Sequence, residues 1–176
     1  EGIIGLGEVS CTALWSGEDN VTAVHVIHSF LEPAIVGEDP RDIERLTVKM
    51  RRAVFGHPFT KSGVEIALWD ILGKAAGLPV YRLLGGAVRE WVPIKMSISG
   101  AEPARAAELA RWAMGRGLKA LKVKVGIEPQ ADIARVKAVR EAIGPAVRLG
   151  IDANGGWRPR VALETIRRLA GGGDFY

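Results

Sequence analysis

In the first half of the chain, apolar residues recur mainly at the three- and four-residue spacing that is typical of amphipathic helices. The first residues depart from this spacing, because apolar and polar positions alternate loosely there, with glycines between them. The predicted elements are a strand at 2–10, helices at 20–32, 39–54 and 60–76, and a short segment at 80–84.

Capping residues and prolines mark the ends of these helices. Asp19 or Asn20 caps the first helix, and Pro33 ends it. Asp39 starts the second helix, with a proline at the first helical position. Gly77 is the C-terminal cap of the third helix. That helix has a broad apolar stripe formed by Val64, Ala67, Leu68, Ile71, Leu72 and Ala75.

From about residue 91, strands alternate with longer helical segments. Strands are predicted at 91–98, 118–125 and 148–152, helices at 103–116, 129–143 and 159–169, and the opening of a fourth strand at Phe175-Tyr176. This alternation is typical of βαβ units around a parallel sheet. We therefore predict an α/β protein, with an α+β part at 1–88 followed by three βα units at 89–176.

The composition is that of an ordinary globular protein, with 48% hydrophobic and 25% charged residues among 176. The 24 basic residues exceed the 20 acidic ones, but they are scattered, and solvated helix faces explain them better than a nucleic-acid surface. The single cysteine cannot form an internal disulfide. With no long apolar run or basic leader visible, we predict a cytoplasmic protein that binds neither nucleic acid nor a membrane.

Two lysines on the second predicted strand are candidates for chemistry. Because side chains alternate along a strand, Lys122 and Lys124 share one face, and Val123 and Val125 share the other. If the valines pack under the helices, the ammonium groups lie inside the fold, where they need an anion and where repulsion lowers the pKa of at least one. The alternative is an exposed edge strand, which the predicted helices on both sides disfavour.

The third predicted strand ends in a carboxylate. Asp152 closes the strand, and Asn154 follows two residues on, in a glycine-rich turn. A carboxylate here can bind a hard cation such as Mg²⁺, whose preferred ligands are oxygens. The alternative is that both residues only form the turn and cap the next helix. Neighbouring parallel strands would bring Asp152 to the lysine pair, an arrangement suited to removing a proton next to a substrate carboxylate.

Four stretches, in this order, resemble the mandelate racemase/muconate lactonizing enzyme family of the enolase superfamily. They are 63–74, 77–86, 121–126 and 151–157. The third stretch resembles the Lys-x-Lys strand of the family, and the fourth resembles its first metal-ligand strand. The resemblance implies an incomplete TIM-like (β/α) barrel preceded by an α+β capping domain. It also implies Mg²⁺ as the cofactor, with Mn²⁺ as an alternative.

The resemblance implies roles for individual residues. Lys124 would be the acid/base on one face of the substrate. Lys122 would hold the substrate carboxylate and depress the pKa of Lys124. Asp152 would be the first of three carboxylate ligands of Mg²⁺, and Asn154 would support that site or contact substrate. Trp15, in a loop of the capping domain, would touch the substrate, the alternative being a structural tryptophan.

Ser97 and Ser99, on the first barrel strand, are further candidates for substrate binding. The family pattern continues into two more metal carboxylates and a residue on the opposite substrate face, so the resemblance implies that this chain is a fragment and inactive alone. The full-length protein would be a homo-oligomer that abstracts the proton α to the carboxylate of a small substrate, forming an enolate, as a cycloisomerase, racemase or epimerase. Dehydration of a hydroxy or sugar acid is one alternative, and a non-catalytic scaffold or partner-binding module is another.

A second cluster lies on the first predicted helix. His25 and His28 are three residues apart, and Glu32 follows one turn later. This spacing is compatible with a metal site, but a solvated helix face with satisfied histidines is the favoured interpretation.

Overall fold

The computed structural model describes residues 2–171 and forms two compact units, Glu1–Glu90 and Trp91–Tyr176. Each unit has its own cluster of buried apolar side chains, which is the organisation expected of separate domains. Within the described range, none of the helices combines the length and the apolar character needed to cross a membrane.

The first unit is helical over the residues that the structure describes. Its elements are α1 (Ala13–Ser16), α2 (Asn20–Val26), a π-helical segment (Ile27–Leu31), α3 (Glu32–Ile35), α4 (Ile43–Ala53), α5 (Pro58–Ala76) and α6 (Val80–Leu83). One apolar face of α4 is buried, since Ile43, Leu46 and Met50 are at most 5% exposed. These side chains pack against Leu31 and Leu68 in the core of this unit.

The predicted helix at 60–76 is confirmed as α5, which begins two residues earlier than predicted. Pro58 occupies its first turn, where a missing N–H is not needed. At the other end, Gly77 has a φ of 65°, in the left-handed region, and the N–H of Leu78 donates to the carbonyl of Gly73 at 2.9 Å. The glycine therefore ends the helix as its position in the sequence predicts.

The predicted strand at 2–10 is wrong, because no strand pairs with it among the described residues. The segment lies along helix α5 instead, and the N–H of Leu6 donates to Asp70 Oδ2 at 2.8 Å. Gly5 and Gly7 approach the α5 backbone so closely that a Cβ atom on either would collide with a carbonyl oxygen. The glycines thus allow close packing against a helix rather than against a neighbouring strand.

Two helix boundaries in the first unit also differ from the prediction. The helical run continues past Pro33 to Ile35, because the proline falls in the first turn of α3, where it is tolerated. Helix α4 begins at Ile43 rather than at Asp39. The carboxylate of Asp39 instead accepts hydrogen bonds from the N–H and the guanidinium of Arg41 within a turn.

The second unit is a three-stranded parallel sheet with the strand order β1-β2-β3. Its elements are β1 (Met96–Ile98), α7 (Pro103–Gly115), β2 (Ala120–Lys124), α8 (Pro129–Ile143), β3 (Arg148–Asp152) and α9 (Pro159–Gly171). The predicted alternation of strands and helices is confirmed, and α8 and β3 have the predicted bounds. The predicted opening of a fourth strand at Phe175-Tyr176 lies outside the described residues.

Strand β1 is shorter than the predicted 91–98. Pro93 has no N–H to donate to a ladder, and the paired register begins only where Met96 faces Leu121. The apolar side chains before the strand are largely exposed, with Trp91 at 73% and Ile94 at 70%. Their hydrophobicity therefore suggested a longer strand than the pairing supports.

The helices of the second unit cover one face of its sheet. Ile98, Val123 and Leu149, one from each strand, are fully buried there and pack with alanines of α7 and valines of α8. Because side chains alternate along a strand, Lys122 and Lys124 lie on the opposite face. Strand β2 is the central strand, so the alternative of an exposed edge strand is wrong.

Candidate active site

Side chains from all three strands share the face of the sheet opposite the buried valines. In the register of the sheet, Ser97 lies beside Lys122, and Lys124 lies beside Asp152. Lys124 and Asp152 are the last residues of their strands. The carboxyl ends of parallel strands are where β/α folds place their active sites.

Both lysines of β2 converge on one carboxylate oxygen. Lys122 Nζ lies 2.7 Å from Asp152 Oδ2, and Lys124 Nζ lies 2.8 Å from the same atom. Lys124 Nζ also donates to Asn154 Oδ1. The structure thus brings four of the predicted site residues into one hydrogen-bonded group, while their roles in catalysis stay predictions.

The charges within this group determine the direction of two pKa shifts. Hydrogen bonds from Lys122 and Lys124 hold the pKa of Asp152 well below its usual range. The hydrogen bond to Asp152 raises the pKa of Lys122, although partial burial opposes the shift. The nearby carboxylate therefore determines the direction of the shift at Lys122, and the expected lowering of the pKa of at least one of the two lysines stays a prediction.

A third lysine, which the sequence analysis missed, belongs to the same face. Lys95 lies two residues before Ser97, and the alternation along the strand could have identified it. Lys95 is exposed, and the loss of solvent around its ammonium group together with the charge of Lys122 lowers its pKa. Lys95 thus adds a third ammonium group near Asp152, besides the two that contact it, and the excess positive charge favours an anionic ligand.

The turns after β2 and β3 touch each other through their backbones. Gly126 has a φ of 94°, and a Cβ atom on it would lie 2.5 Å from the carbonyl oxygen of Ala153. Gly156 approaches the carbonyl of Gly126 in the same way, too closely for a Cβ atom. We call Gly126, Ala153 and Gly156 the glycine seam. Their close backbone contacts fix the end of β3 relative to the end of β2.

Asp152 and Asn154 also form a turn, which is the alternative role that the sequence predicted for them. Asp152 Oδ1 accepts a hydrogen bond from the N–H of Asn154 at 3.0 Å. Asn154 has a φ of 44°, in the left-handed region, which asparagine adopts more readily than most residues. Both interpretations of this pair are therefore compatible with the structure.

Asp152 is the predicted metal ligand within the described range, and it does not form a metal site by itself. Across residues 2–171, no three His, Cys, Asp or Glu side chains are grouped so that they could hold a metal ion. The oxygens of Asp152 and Asn154 suit Mg²⁺ chemically. Since Mg²⁺ demands octahedral coordination, a complete Mg²⁺ site needs further oxygen ligands.

Trp15 lies on helix α1 of the first unit. Its ring packs edge-on against Phe59, with 5.2 Å between the ring centroids, and the residue is 61% exposed. The contact with Phe59 supports the structural role, while the exposed part of the ring leaves a substrate contact open.

The histidine cluster in the first unit is a solvated helix face. His28 Nδ1 lies 2.7 Å from Glu32 Oε2, and both side chains are more than half exposed. His25 Nδ1 forms a hydrogen bond with Ser29 Oγ at 3.2 Å. These local pairs support the non-metal interpretation.

Ionisable side chains at the carboxyl ends of parallel strands, with helices on the other face of the sheet, are the arrangement typical of active sites in β/α enzymes. The sequence profile of the mandelate racemase / muconate lactonizing enzyme N-terminal domain matches residues 1–85. The enolase C-terminal domain-like profile matches residues 104–176. The chain therefore belongs to the mandelate racemase/muconate lactonizing enzyme family of the enolase superfamily, and its fold is an incomplete TIM-like barrel preceded by a capping domain.

Similar proteins include isomerases of this family. The chain is 35% identical to the N-succinyl-L-Arg/Lys racemase of Bacillus cereus over 97% of its length and 46% of the relative's. It is 35% identical to the L-Ala-D/L-Glu epimerase of Clostridium acetobutylicum, over 96% of the chain and 47% of that protein. Other relatives include a cis-3-hydroxy-L-proline dehydratase and chloromuconate cycloisomerases.

A solved structure also matches closely. The dipeptide epimerase of Cytophaga hutchinsonii, in complex with Mg and the dipeptide D-Ala-L-Val, superposes with a TM-score of 0.87 at 35% identity. The match covers 97% of this chain and 46% of that one. The chain thus spans about half the length of the relatives that it matches.

Proposed function

We propose that the complete protein is a Mg²⁺-dependent racemase or epimerase that removes and returns the proton next to a carboxylate. The observation that carries this proposal is the convergence of Lys122 and Lys124 on Asp152, with both ammonium groups within 2.8 Å of one oxygen. The relatives are named for N-succinyl amino acids and dipeptides, which supports N-acylated amino acids or dipeptides as the substrate class.

Lys124 is the acid/base in this proposal. It takes the α-proton at Nζ from one face of the substrate, and a second acid/base elsewhere in the complete protein delivers a proton to the opposite face, so that the configuration is inverted. In the reverse direction, Lys124 delivers the proton. Lys122, on the same face of β2, holds the substrate carboxylate through a charge-assisted hydrogen bond. Asn154 orients Lys124 through its side-chain oxygen, and Ser97, beside Lys122 in the sheet, hydrogen-bonds to the substrate.

Asp152 supplies one oxygen ligand for Mg²⁺, together with ligands elsewhere in the complete protein. When bound, Mg²⁺ supplies a Lewis acid that withdraws electron density from a carboxylate and makes the adjacent C–H more acidic.

Residues 1–88 belong to the capping domain in this proposal, and 89–176 form the first three βα units of the barrel. Trp15 of the capping domain contacts the substrate. We propose a homo-oligomer for the complete protein.

Exchange of the α-proton tests the assignment of Lys124. In D₂O with Mg²⁺, ¹H NMR would follow loss of the α-proton signal from L-Ala-L-Glu, L-Leu-L-Tyr and N-succinyl-L-lysine, using the protein as its gene encodes it. We expect Lys124→Ala to slow exchange about 10³-fold, the usual size of a general acid–base contribution. Lys119→Ala is the matched control, because Lys119 is exposed and directly precedes β2.

Three other outcomes have distinct meanings. Equal exchange by wild type and Lys124→Ala would refute the role of Lys124. Loss of water from a hydroxy or sugar acid, without inversion of any panel compound, would favour a dehydratase, a reaction that also begins with removal of an α-proton. Absence of both exchange and Mg²⁺ binding would favour a non-catalytic protein.

A further inference from the structure

Helix α8 carries a fully buried ion pair that the proposed reaction does not use. Asp132 is 0% exposed and Arg135 is 3% exposed, and Asp132 Oδ1 lies 2.7 Å from Arg135 Nη1. The same helix buries Val136 and Val139 in the apolar core. Burying two charges is costly unless their remaining donors and acceptors are also satisfied, so their other partners matter.

The second oxygen of Asp132 binds the turns that follow β2 and β3. Asp132 Oδ2 accepts hydrogen bonds from the N–H of Gly126 at 2.8 Å and from the N–H of Ile127 at 3.1 Å. It also accepts one from Trp157 Nε1 at 3.3 Å. One carboxylate thus connects the residues that follow Lys124 with those that follow Asp152.

Arg135 extends this connection to the first strand. Its Nε donates to the carbonyl of Ala101 at 2.5 Å, in the segment after β1. Its Nη1 donates to the carbonyl of Lys124 at 3.2 Å, at the last residue of β2. The ion pair therefore contacts the backbone beyond or at the carboxyl end of β1 and β2, and a side chain from the turn after β3.

We propose that Asp132 and Arg135 are positioning residues, which set the place of Lys124 and Asp152 through the backbone of the strand ends. This inference rests on the proposed function, since it explains what holds the proposed acid/base and metal ligand in place. The position of Lys124 is set directly, through its carbonyl. That of Asp152 is set indirectly, through the glycine seam and the hydrogen bond from Val125 N to Asp152 O at 3.0 Å.

The same helix offers a matched control for removing a buried arginine. Arg140 is 8% exposed, and its Nη1 donates to the carbonyls of Gly144 and Val147 at 2.9 and 2.8 Å. These acceptors precede β3, at the opposite end of the sheet from the proposed site. Arg135→Met and Arg140→Met each remove a buried guanidinium from α8, but only the first removes a contact with Lys124.

The first measurement needs neither metal nor substrate. Amide hydrogen exchange, followed by mass spectrometry on the protein as its gene encodes it, would compare the two variants with wild type. We expect Arg135→Met to accelerate exchange at 125–127 and 153–156 at least about tenfold, since these amides depend on the ion pair and the seam. Arg140→Met should accelerate exchange at 144–149 instead.

The second measurement uses Mn²⁺ as the probe and the panel compound that wild type exchanges fastest. Arg135→Met should weaken Mn²⁺ binding about tenfold, measured by EPR titration, as expected for a residue that supports a ligand. It should also lower kcat about 10²-fold with KM little changed, because a small displacement of Lys124 affects the reacting geometry more than binding. Arg140→Met should change neither quantity.

Other results would overturn this inference. Equal losses of kcat and Mn²⁺ affinity in both arginine variants would show a general structural role, and wild-type behaviour of Arg135→Met would show none. If circular dichroism shows that Arg135→Met is unfolded, Trp157→Phe is the second variant. It removes the indole donor to Asp132 and keeps an aromatic ring beside the core, and it should cause a smaller change in the same direction. An unchanged Trp157→Phe would then refute the positioning role.

The failure of this inference can be distinguished from failure of the proposed function. If wild type exchanges no panel compound, or if Lys124→Ala exchanges normally, the proposed function is wrong, and the hydrogen-exchange and Mn²⁺ measurements still decide what the ion pair positions. If Lys124→Ala behaves as proposed and the two arginine variants are alike, only the positioning role is wrong.

Discussion

Each unit of this protein buries a carboxylate, and the two units stabilise it differently. In the first unit, Glu18 is 3% exposed and accepts hydrogen bonds from the N–H groups of Phe59 and Thr60 and from Thr60 Oγ1, at 2.9, 3.0 and 2.6 Å. These donors lie at the beginning of α5, where unpaired N–H groups favour an anion. In the second unit, Asp132 pairs with the buried Arg135.

The difference predicts unequal costs for losing each charge. Without its charge, Glu18 would lose hydrogen bonds to a helix end but leave no other charge buried. Without the charge of Asp132, Arg135 would keep a buried positive charge with no carboxylate beside it. Breaking a buried ion pair from one side is among the more destabilising single changes.

Asp132→Asn should therefore have the largest effect. We expect the free energy of unfolding of the second unit to fall by about 3–5 kcal/mol. Hydrogen exchange of the α8 amides in increasing urea would measure it. The double variant Asp132→Asn/Arg135→Met should recover part of the loss, because it removes the unpaired cation. A loss below about 1 kcal/mol in the single variant would contradict the distinction between the two carboxylates.

Glu18→Gln should be less costly. The amide keeps the shape of the side chain but turns an N–H₂ group toward the donors of Phe59 and Thr60, so we expect a loss of about 1–3 kcal/mol in the first unit. Hydrogen exchange of the α5 amides would report it, with those of α8 as an internal control. If Glu18→Gln lowered the free energy of unfolding as much as Asp132→Asn, the proposed difference between the two buried carboxylates would be wrong.

The contribution of Glu18 should also depend on pH. Burial alone would raise the pKa of Glu18, but the hydrogen bonds from Thr60 and Phe59 outweigh it and hold the pKa below its usual 4.5. A group whose pKa is lowered by folding stabilises the protein above its unfolded-state pKa, and this stability is lost as the pH falls through the folded-state value.

The stability gap between wild type and Glu18→Gln should therefore be constant above about pH 5.5 and shrink progressively as the pH falls below about 4.5. Urea midpoints of the first unit between pH 6 and pH 3 would show this. His57 Nδ1 lies 3.9 Å from Glu18 Oε2, so Glu18→Gln also removes this charge interaction, and making the comparison in a His57→Asn background isolates Glu18. A gap that widened in acid would mean that folding raises the pKa.

Glu38→Gln should have the smallest effect. Glu38 has two ion pairs, with Arg45 at 2.6 Å and Lys49 at 2.7 Å, but its side chain is partly solvated. Exposed ion pairs contribute little, so we expect no measurable change in the urea midpoint. A loss larger than that of Glu18→Gln would show that the number of ion pairs, rather than burial, sets the cost.

Local patterns predicted the elements whose boundary signals agree with their packing. Helix α5 follows its apolar stripe and ends at Gly77, and α8 and β3 match their predicted bounds. The prediction of a strand at 2–10 was wrong because alternation alone does not reveal whether a strand or a helix lies beside the segment. The predicted length of strand β1 was wrong for a related reason, since the strand begins only where its partner strand begins.

For the candidate site, alternation along β2 predicted the shared face of Lys122 and Lys124, and the parallel arrangement predicted the proximity of Asp152. The raised pKa of Lys122 was not predictable, because its sign depends on a distance of 2.7 Å to Asp152. Arg135 was also missed, because a polar residue within a helix gives no signal of the carbonyl groups that it reaches.

The glycine seam has a consequence for engineering this edge of the sheet. At Gly126 and Gly156 the backbones leave no room for a side chain, so a saturation library at either position would mostly yield misfolded variants. Ile127 is 68% exposed, so this position can accept varied side chains. New ligand preferences are therefore best sought at the residues beside the seam, with its glycines left unchanged.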